Sequence, residues 1–505
     1  MEVSHTDDHL ESPALRRLGQ FIRAHQQAQR DRTPNFEQFE CKLDEQVMAL
    51  ERELVTAELT RYDVDTEQIE VGGIAYHPVW ADTETYLTAA GEVCVERHLY
   101  RPAGHNAKSI CPLELRVGIV DGYWTPRAAQ QGSFVTSHVT PGESEALFEE
   151  LGGMCPSRSS LDRLPRELSG HWEAKRDAWE VALRAQETVP EAAASVALSV
   201  DGVMVAMKAK AANRAAKQAE AGKHASGPAG HQEAGCGTLS LYDEAGERLQ
   251  TMRYARMPES KKVTLQAELQ GETQAIFTLR PDLRRVHLAD GAEPNWKLLA
   301  EIERALGLSP ETRIEVVDFY HACDHLKNGC DAIWGESTPR SQAEFLRFKT
   351  LLKEEDGGAD RIIRTFKHHA GRSTGNRQRR IRAELTYFRN QVPRMNYPEY
   401  LRQNLPIASG VVEAACKTLV TQRLKRSGMA WTLAGGQALL TLRSLIQSDR
   451  WPRAWNLLAA DFRQTIIIVK PSPEKQVPSQ RPFTCAGHTR SVIDQDDYHA
   501  LPLAV

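Results

Sequence analysis

Ala194-Ser-Val-Ala-Leu-Ser-Val-Asp201-Gly-Val-Met-Val-Ala-Met-Lys208 is a continuous apolar run with one carboxylate in its middle. It reads as a buried strand bracketed by small residues. A carboxylate inside such a run is expensive to bury unless something compensates it, and a divalent metal ion is one compensator. The alternative is a tight Asp201-Gly202 turn between two short strands, which the dipeptide also favours. The two readings part on whether later carboxylates converge on Asp201.

Downstream, Gly237-Thr-Leu-Ser-Leu-Tyr and Arg248-Leu-Gln-Thr-Met-Arg-Tyr-Ala predict two more strands. A helix over Lys261 to Phe277 follows, then a short strand, Arg285-Val-His-Leu-Ala-Asp290-Gly, and a helix from Pro294 to Leu306. Thr312-Arg-Ile-Glu-Val-Val-Asp318 is the next strand, and a helix starts near His321. With the crossover rule respected, the fourth strand lies beside the first. Asp290 is then expected next to Asp201 on one edge of the sheet, with Asp318 one strand further out. Residues 208–236 are rich in Ala, Gly and Lys and read as a mobile insert touching phosphate.

Two metal ions need further oxygen ligands, with positions left for phosphate and water. Glu413 is the candidate. It lies in Ile407-Ala-Ser-Gly-Val-Val-Glu413-Ala-Ala-Cys-Lys-Thr-Leu-Val-Thr-Gln-Arg-Leu-Lys-Arg-Ser-Gly-Met-Ala-Trp431, a helix opened by Ser409-Gly410. Glu413 is its only acid among Lys417, Arg423, Lys425 and Arg426. The structural alternative is a carboxylate that complements the helix dipole and pairs with Lys417.

These residues carry a resemblance. The strand order with its Asp…Asp…Glu set resembles the RNase H-like core of DDE transposases. Asp318-Phe-Tyr-His321 resembles the C/D-x-x-H motif of Mutator and hAT relatives. The Glu413 block with Gln-Arg-Leu-Lys-Arg-Ser-Gly-Met-Ala-Trp is similar to bacterial insertion-sequence transposases of the ISKra type. The likeness runs from about residue 84 to about residue 460, and the Glu413 block is its most specific part. It implies that Asp201, Asp290 and Glu413 are catalytic and hold two Mg²⁺ ions, with Mn²⁺ as a substitute. It implies that His321 orients a scissile phosphate or a hairpin base, against a structural role capping its helix. It also implies DNA partners (transposon ends and target) and a homodimer or larger synaptic complex. Asp290 is preferred to Asp318 because its strand adjoins the first. The chain departs from its relatives in lacking a Cys-pair knuckle before the helix-turn-helix, and its Ala-rich insert is unusual.

Composition fits this frame. The chain has 505 residues, too many for one simple core, with 41% hydrophobic and 26% charged residues and a mean hydropathy of -0.47. No apolar run approaches membrane-span length and the first residues are too polar for a signal peptide, so a bacterial cytosolic, nucleoid-associated protein is expected. Nine scattered cysteines without a CxxC pair read as free thiols. The net charge of -4 argues against a uniformly basic binder. It hides a local excess, however: fifteen basic residues against three acids between Arg361 and Arg426. Lys367, Arg377, Arg379 and Arg380 lie in its densest part, with Phe366, Tyr387 and Phe388 as candidate base-stacking rings.

The expected organisation is a multidomain α+β protein. Its RNase H-like core is a mixed five-stranded sheet flanked by helices. An N-terminal helical region (1–70) precedes a β-rich hairpin module (71–124) that turns near Ala90-Gly91. Cys94, His98, His105 and Cys111 make a degenerate metal knuckle conceivable there, although Cys94 alternates with valines as a packing residue would. A helix-turn-helix region (125–190) follows. Its second helix, Pro156 to Leu168, exposes Ser157, Arg158, Ser159, Ser160 and Arg163 for DNA reading, with Arg158 and Arg163 as contacts. The core's first part (191–335), a basic helical insertion (336–405), the core's second part with the Glu413 helix (406–468) and a disordered tail (469–505) complete it. The function implied is cleavage at transposon ends followed by strand transfer. A nuclease or resolvase on the same core, and a retired transposase that only binds DNA, stay open.

Overall fold

The computed structural model describes residues 12–28, 35–102, 108–208 and 230–469. Most of the 208–236 insert, His105 of the degenerate knuckle and nearly all of the tail lie outside the described residues. The insert's end does not: strand β5 already begins at His231.

Strands β4 (Ser195–Ala206), β5 (His231–Tyr242), β6 (Arg248–Arg256), β7 (Arg284–Ala289) and β8 (Arg313–Val317) form a five-stranded mixed sheet. Its order is β6-β5-β4-β7-β8, so the first and fourth strands are neighbours. β4 pairs antiparallel with β5 and parallel with β7, and β7 is parallel to β8. The Asp201-Gly202 step continues β4 and does not turn, pairing with Cys236 and Gly235. A Cβ at Gly202 would meet the Glu233 carboxylate, which would have to move aside.

Both faces are covered, as expected of strands that read as unbroken apolar runs. On one, helix α7 (Val263–Leu279) drives Leu265 and Leu269 against Gly235 and Gly237, and helix α8 (Glu293–Ala305) packs on β4 and β7. On the other, Val205, Ala234, Cys236 and Ala255 meet Val412, Ala415, Cys416 and Leu419. Those last residues belong to a helix over Gly410–Ala415 that passes through a π-helical turn, Cys416–Thr421, into Gln422–Leu424.

Beyond β8, five further helices run from Phe319 to Arg402, beginning with Phe319–Trp334. Phe366 and Phe388 are fully buried here, edge to face at 5.7 Å. Ile362, Phe366 and Ala370 form the buried stripe of one amphipathic helix. These rings are core, which overturns their expected role as base platforms.

A second sheet, in the order β3-β2-β1-β9, joins β1 (Ile69–Val71), β2 (Ile74–Thr88) and β3 (Gly91–Pro102) to β9 (Ile466–Ile468) from the far end of the described chain. Between the sheets lie helices Pro126–His138 and Pro141–Leu151 and a long helix, Arg158–Arg184. The long helix is capped by Ser157 and holds Pro165 inside. It runs well past Leu168 and buries Leu161, Leu164, Leu168 and Trp172 with Trp451 and Trp455. Ser160, expected on the surface, is buried. The far half of this helix is tied to α7 and β6 by buried ions. Arg450, 1% exposed, donates to Glu187 and to Glu272 at 2.7 Å, while Arg184 joins Glu180 to Glu272. Among the described residues, no helix is long and apolar enough to cross a membrane.

Candidate active site

The parallel β4–β7 ladder ends at the pair Ser199↔Leu288. Asp201 lies two residues beyond Ser199 in β4, and Asp290 two beyond Leu288, just past the end of β7, close enough for the charge of Asp290 to act on Asp201. Asp201 accepts a hydrogen bond from the Gly202 backbone N–H at 2.7 Å and one from the Cys416 thiol at 3.5 Å. Hydrogen bonding to Cys236, together with burial, pushes the Cys416 thiol far up, so it remains a donor. Asp290 accepts from the Ala292 N–H at 3.0 Å and from Asn295 Nδ2 at 3.1 Å. Gly291, at φ +96°, turns the chain away immediately afterwards.

Burial is the main cause that raises the pKa of Asp201, and the negative charge of Asp290 adds to it. Lys262 acts in the opposite direction, but its ammonium bonds Glu233 at 2.9 Å and Asn295 at 3.4 Å. Among the described residues, neither Asp201 nor Asp290 forms an ion pair.

Glu413 lies in the helix that packs on β4 and β5, the face toward which Asp201 and its register partner Cys236 project. It is exposed, and it accepts a 2.5 Å hydrogen bond from Ser409 Oγ. It makes no ion pair with Lys417, so the expected alternative role of that pair is absent among the described residues. No three His, Cys, Asp or Glu side chains among the described residues come close enough to hold a metal ion. Asp201 and Asp290 lie near each other, and Glu413 bonds Ser409.

Asp318 differs in kind. It is 1% exposed, and it caps the helix Phe319–Trp334 by accepting the His321 N–H at 2.5 Å. Its other oxygen accepts the Ser409 N–H, so it ties β8 to the start of the Glu413 helix. The His321 ring stands 5.1 Å from His325 and 6.2 Å from Tyr387. His325 stacks on Tyr387 at 3.6 Å and bonds Glu384 at 2.6 Å. One face of Tyr387 is therefore occupied by a protein ring. Sequence reasoning missed His325, Glu384 and Asn295. Asn295, five residues past Asp290 at a helix start, was the findable one.

The basic residues divide. Lys367, Arg379, Arg380, Lys417 and Lys425 are exposed. Arg377 instead donates to the carbonyls of Ala332 and Ile333 and closes a helix C-terminus. Arg163 pairs with Asp121 and Arg426 with Glu143. Arg423 is 3% exposed and lies inside the protein, where an outer phosphate-tracking surface was expected.

Neither a protein-family model nor a curated protein matches the chain, and the narrower likeness to the ISKra type has no counterpart there. Among solved structures, the chain is similar to a Drosophila P element transposase strand transfer complex. The identity is 12%, over 68% of this chain and 82% of that one, with a TM-score of 0.24.

Proposed function

We propose that the chain is a DDE transposase with an RNase H-like core, which cleaves DNA at transposon ends and joins the freed ends to target DNA. The observation that carries this is the placement of Asp201 and Asp290 near each other at the ends of adjacent parallel strands, without ion-pair partners, with Glu413 on the helix over β4 and β5. The buried glutamates Glu180, Glu187 and Glu272 are matched to arginines; Asp201 and Asp290 are not, as groups reserved for a cation would be.

In this reading Asp201, Asp290 and Glu413 hold divalent ions, Mg²⁺ or Mn²⁺ in its place. When bound, the ions neutralise phosphate charge and make water or a 3′-OH a better nucleophile. Water attacks the phosphorus at the element's end, the P–O3′ bond breaks, and a 3′-OH is released. That hydroxyl then attacks a target phosphodiester, forming one P–O bond as another breaks. His321, beside the Asp318 cap, orients the scissile phosphate. Exposed Lys367, Arg379, Arg380, Lys417 and Lys425 contact the backbone, and Arg158 the end sequence. Joining two ends calls for two protomers, and the bacterial cytosol is the place of action.

The Ser409 bond to Glu413 favours a second reading, a relative that cuts without joining or only binds DNA. Purified protein, Mg²⁺, terminal-repeat DNA and a supercoiled target test both. Joined products from wild type but not from Glu413→Gln support the transposase. Nicks alone move the reading to a nuclease, and binding without chemistry to a retired protein.

A further inference from the structure

Behind the Glu413 helix, where β4 ends, lies a cavity of about 430 Å³ bordered by Arg158, Asp162, Arg166, Lys208, Arg423 and Trp431. This is within the size range of small-ligand sites, about 300–1,000 Å³. Arg423 is its least satisfied group. Nε donates to the Thr136 carbonyl at 3.3 Å, and neither Nη finds an acceptor among the described residues. Its neighbour Arg443 is also buried, but it is satisfied by the carbonyls of Leu419, Ser137 and Thr418. The nearby carboxylates are engaged elsewhere: Asp162 by Arg166 at 2.6 Å, and Glu143 by Arg426. A guanidinium so placed is a standing site for an anion, and a planar phosphate contact suits its fork.

The cavity also offers a ring. Trp431 donates Nε1–H to the Leu424 carbonyl at 2.8 Å, which fixes its plane, and Arg423 lies 5.7 Å from its centroid. Its backbone is stitched to the end of β4 through Ala206 and Lys208. Seven residues of extended strand separate Lys208 from Asp201, roughly 23 Å. At ~3.4 Å per base pair of stacked duplex this is the length of about seven base pairs.

We propose that this cavity binds one unpaired nucleotide of the DNA, its phosphate on Arg423 and Arg158 and its base against Trp431, several nucleotides from the scissile bond. The proposal rests on the DNA-processing reading above and adds a site to it. A pocket that takes a base from single-stranded DNA selects ends that fray or are already nicked.

The test uses the full chain in EDTA, so that binding is read without chemistry. The probes are fluorescein-labelled dT10, an abasic ten-mer, and inorganic phosphate as competitor. dT10 is expected to bind more tightly than the abasic strand. Trp431→Leu should lower dT10 affinity about ten-fold or more, the scale of one stacked base, and bring the two strands level. Arg158→Ser and Arg423→Gln should weaken both strands, whereas Arg304→Ala on an outer helix stays within about two-fold. Thermal melts verify folding, and Arg158→Ser keeps the test alive if Arg423→Gln unfolds. Equal affinity for dT10 and the abasic strand in wild type overturns the proposal, as does indifference of folded variants. A thermal shift with inorganic phosphate but no binding of dT10 makes this an anion site and also overturns it. Metal-dependent cleavage without pocket-dependent dT10 binding sinks this inference alone. Pocket binding without cleavage sinks the enzymatic reading alone.

Discussion

Two groups of acids in this protein are treated in opposite ways. At the join of the long helix, α7 and β6, Glu180, Glu187 and Glu272 are each held by Arg184 or Arg450. At the end of the β4–β7 ladder, Asp201 and Asp290 have only neutral donors, and Glu413 has a serine. A buried carboxylate matched to a guanidinium is finished: it holds elements together. One that meets only an N–H, a thiol and an amide keeps its charge unspent, at a cost to the fold. On the function proposed above, the difference separates acids that serve structure from acids that serve chemistry.

The contrast breaks most sharply at the Asp pair. Asp201→Asn, Asp290→Asn and Glu413→Gln should each lower Mg²⁺-dependent cleavage by at least about a thousand-fold, with DNA binding retained. Asp201→Asn should leave the melting temperature unchanged or raise it. Burial raises the Asp201 pKa, so the folded state favours its proton, and stability from that group is lost as pH rises above the unfolded value. Asparagine removes that loss. A strongly destabilised Asp201→Asn would place the residue with the structural acids.

Arg450→Met should behave the other way, costing about 3–5 kcal/mol by stranding Glu272 and Glu187. Urea denaturation reads this, and a cost below about 1 kcal/mol would show the network to be loose.

Glu268 sharpens the picture within the network. Burial pushes its carboxyl up to about 8, against the pull of Arg256, with Glu180 and Glu173 adding to the rise. The folded state therefore binds the proton more tightly than the unfolded chain. Its contribution to stability is complete below the unfolded value near 4.5 and is lost as pH rises toward about 8. Glu268→Gln should flatten the fall in stability over that window, and an unchanged pH profile would refute it.

The smallest effects separate working cations from structural ones. Neutralising Lys367, Arg379 and Arg380 together should reduce the salt slope of DNA binding by up to about three. Arg377→Ala should leave that slope alone and cost on the order of 1 kcal/mol of stability, because its guanidinium serves two helix carbonyls.

The sheet around Asp201 was legible because its strands are uninterrupted apolar runs, and the parallel crossover leaves few orders open. What eluded the sequence has local reasons. β5 starts with His231-Gln-Glu, exposed residues that carry no apolar signal, so the insert seemed to run through to 236. The sequence ends the second helix at Leu168, yet the helix runs through Pro165 and on to Arg184. The rings of Phe366 and Phe388 sit among arginines in the sequence, but helical spacing turns them inward while the arginines turn out. Asp318 and Asp290 end their strands alike. Only the contacts distinguish them: two backbone N–H groups consume Asp318, and a side-chain amide with one N–H steadies Asp290.

The smaller sheet has a consequence in time. Its strand β1 is flanked by β2, a few residues away, and by β9, which pairs Ile69 with Ile468. A ribosome working at about 5–20 residues per second needs on the order of 20–80 s to travel between those partners. For that interval one side of β1 waits with its peptide groups unmatched, open to any extended segment that passes. The last apolar triplet of the described chain thus acts as a seal on the smaller sheet, added only after the whole of the larger sheet has been made.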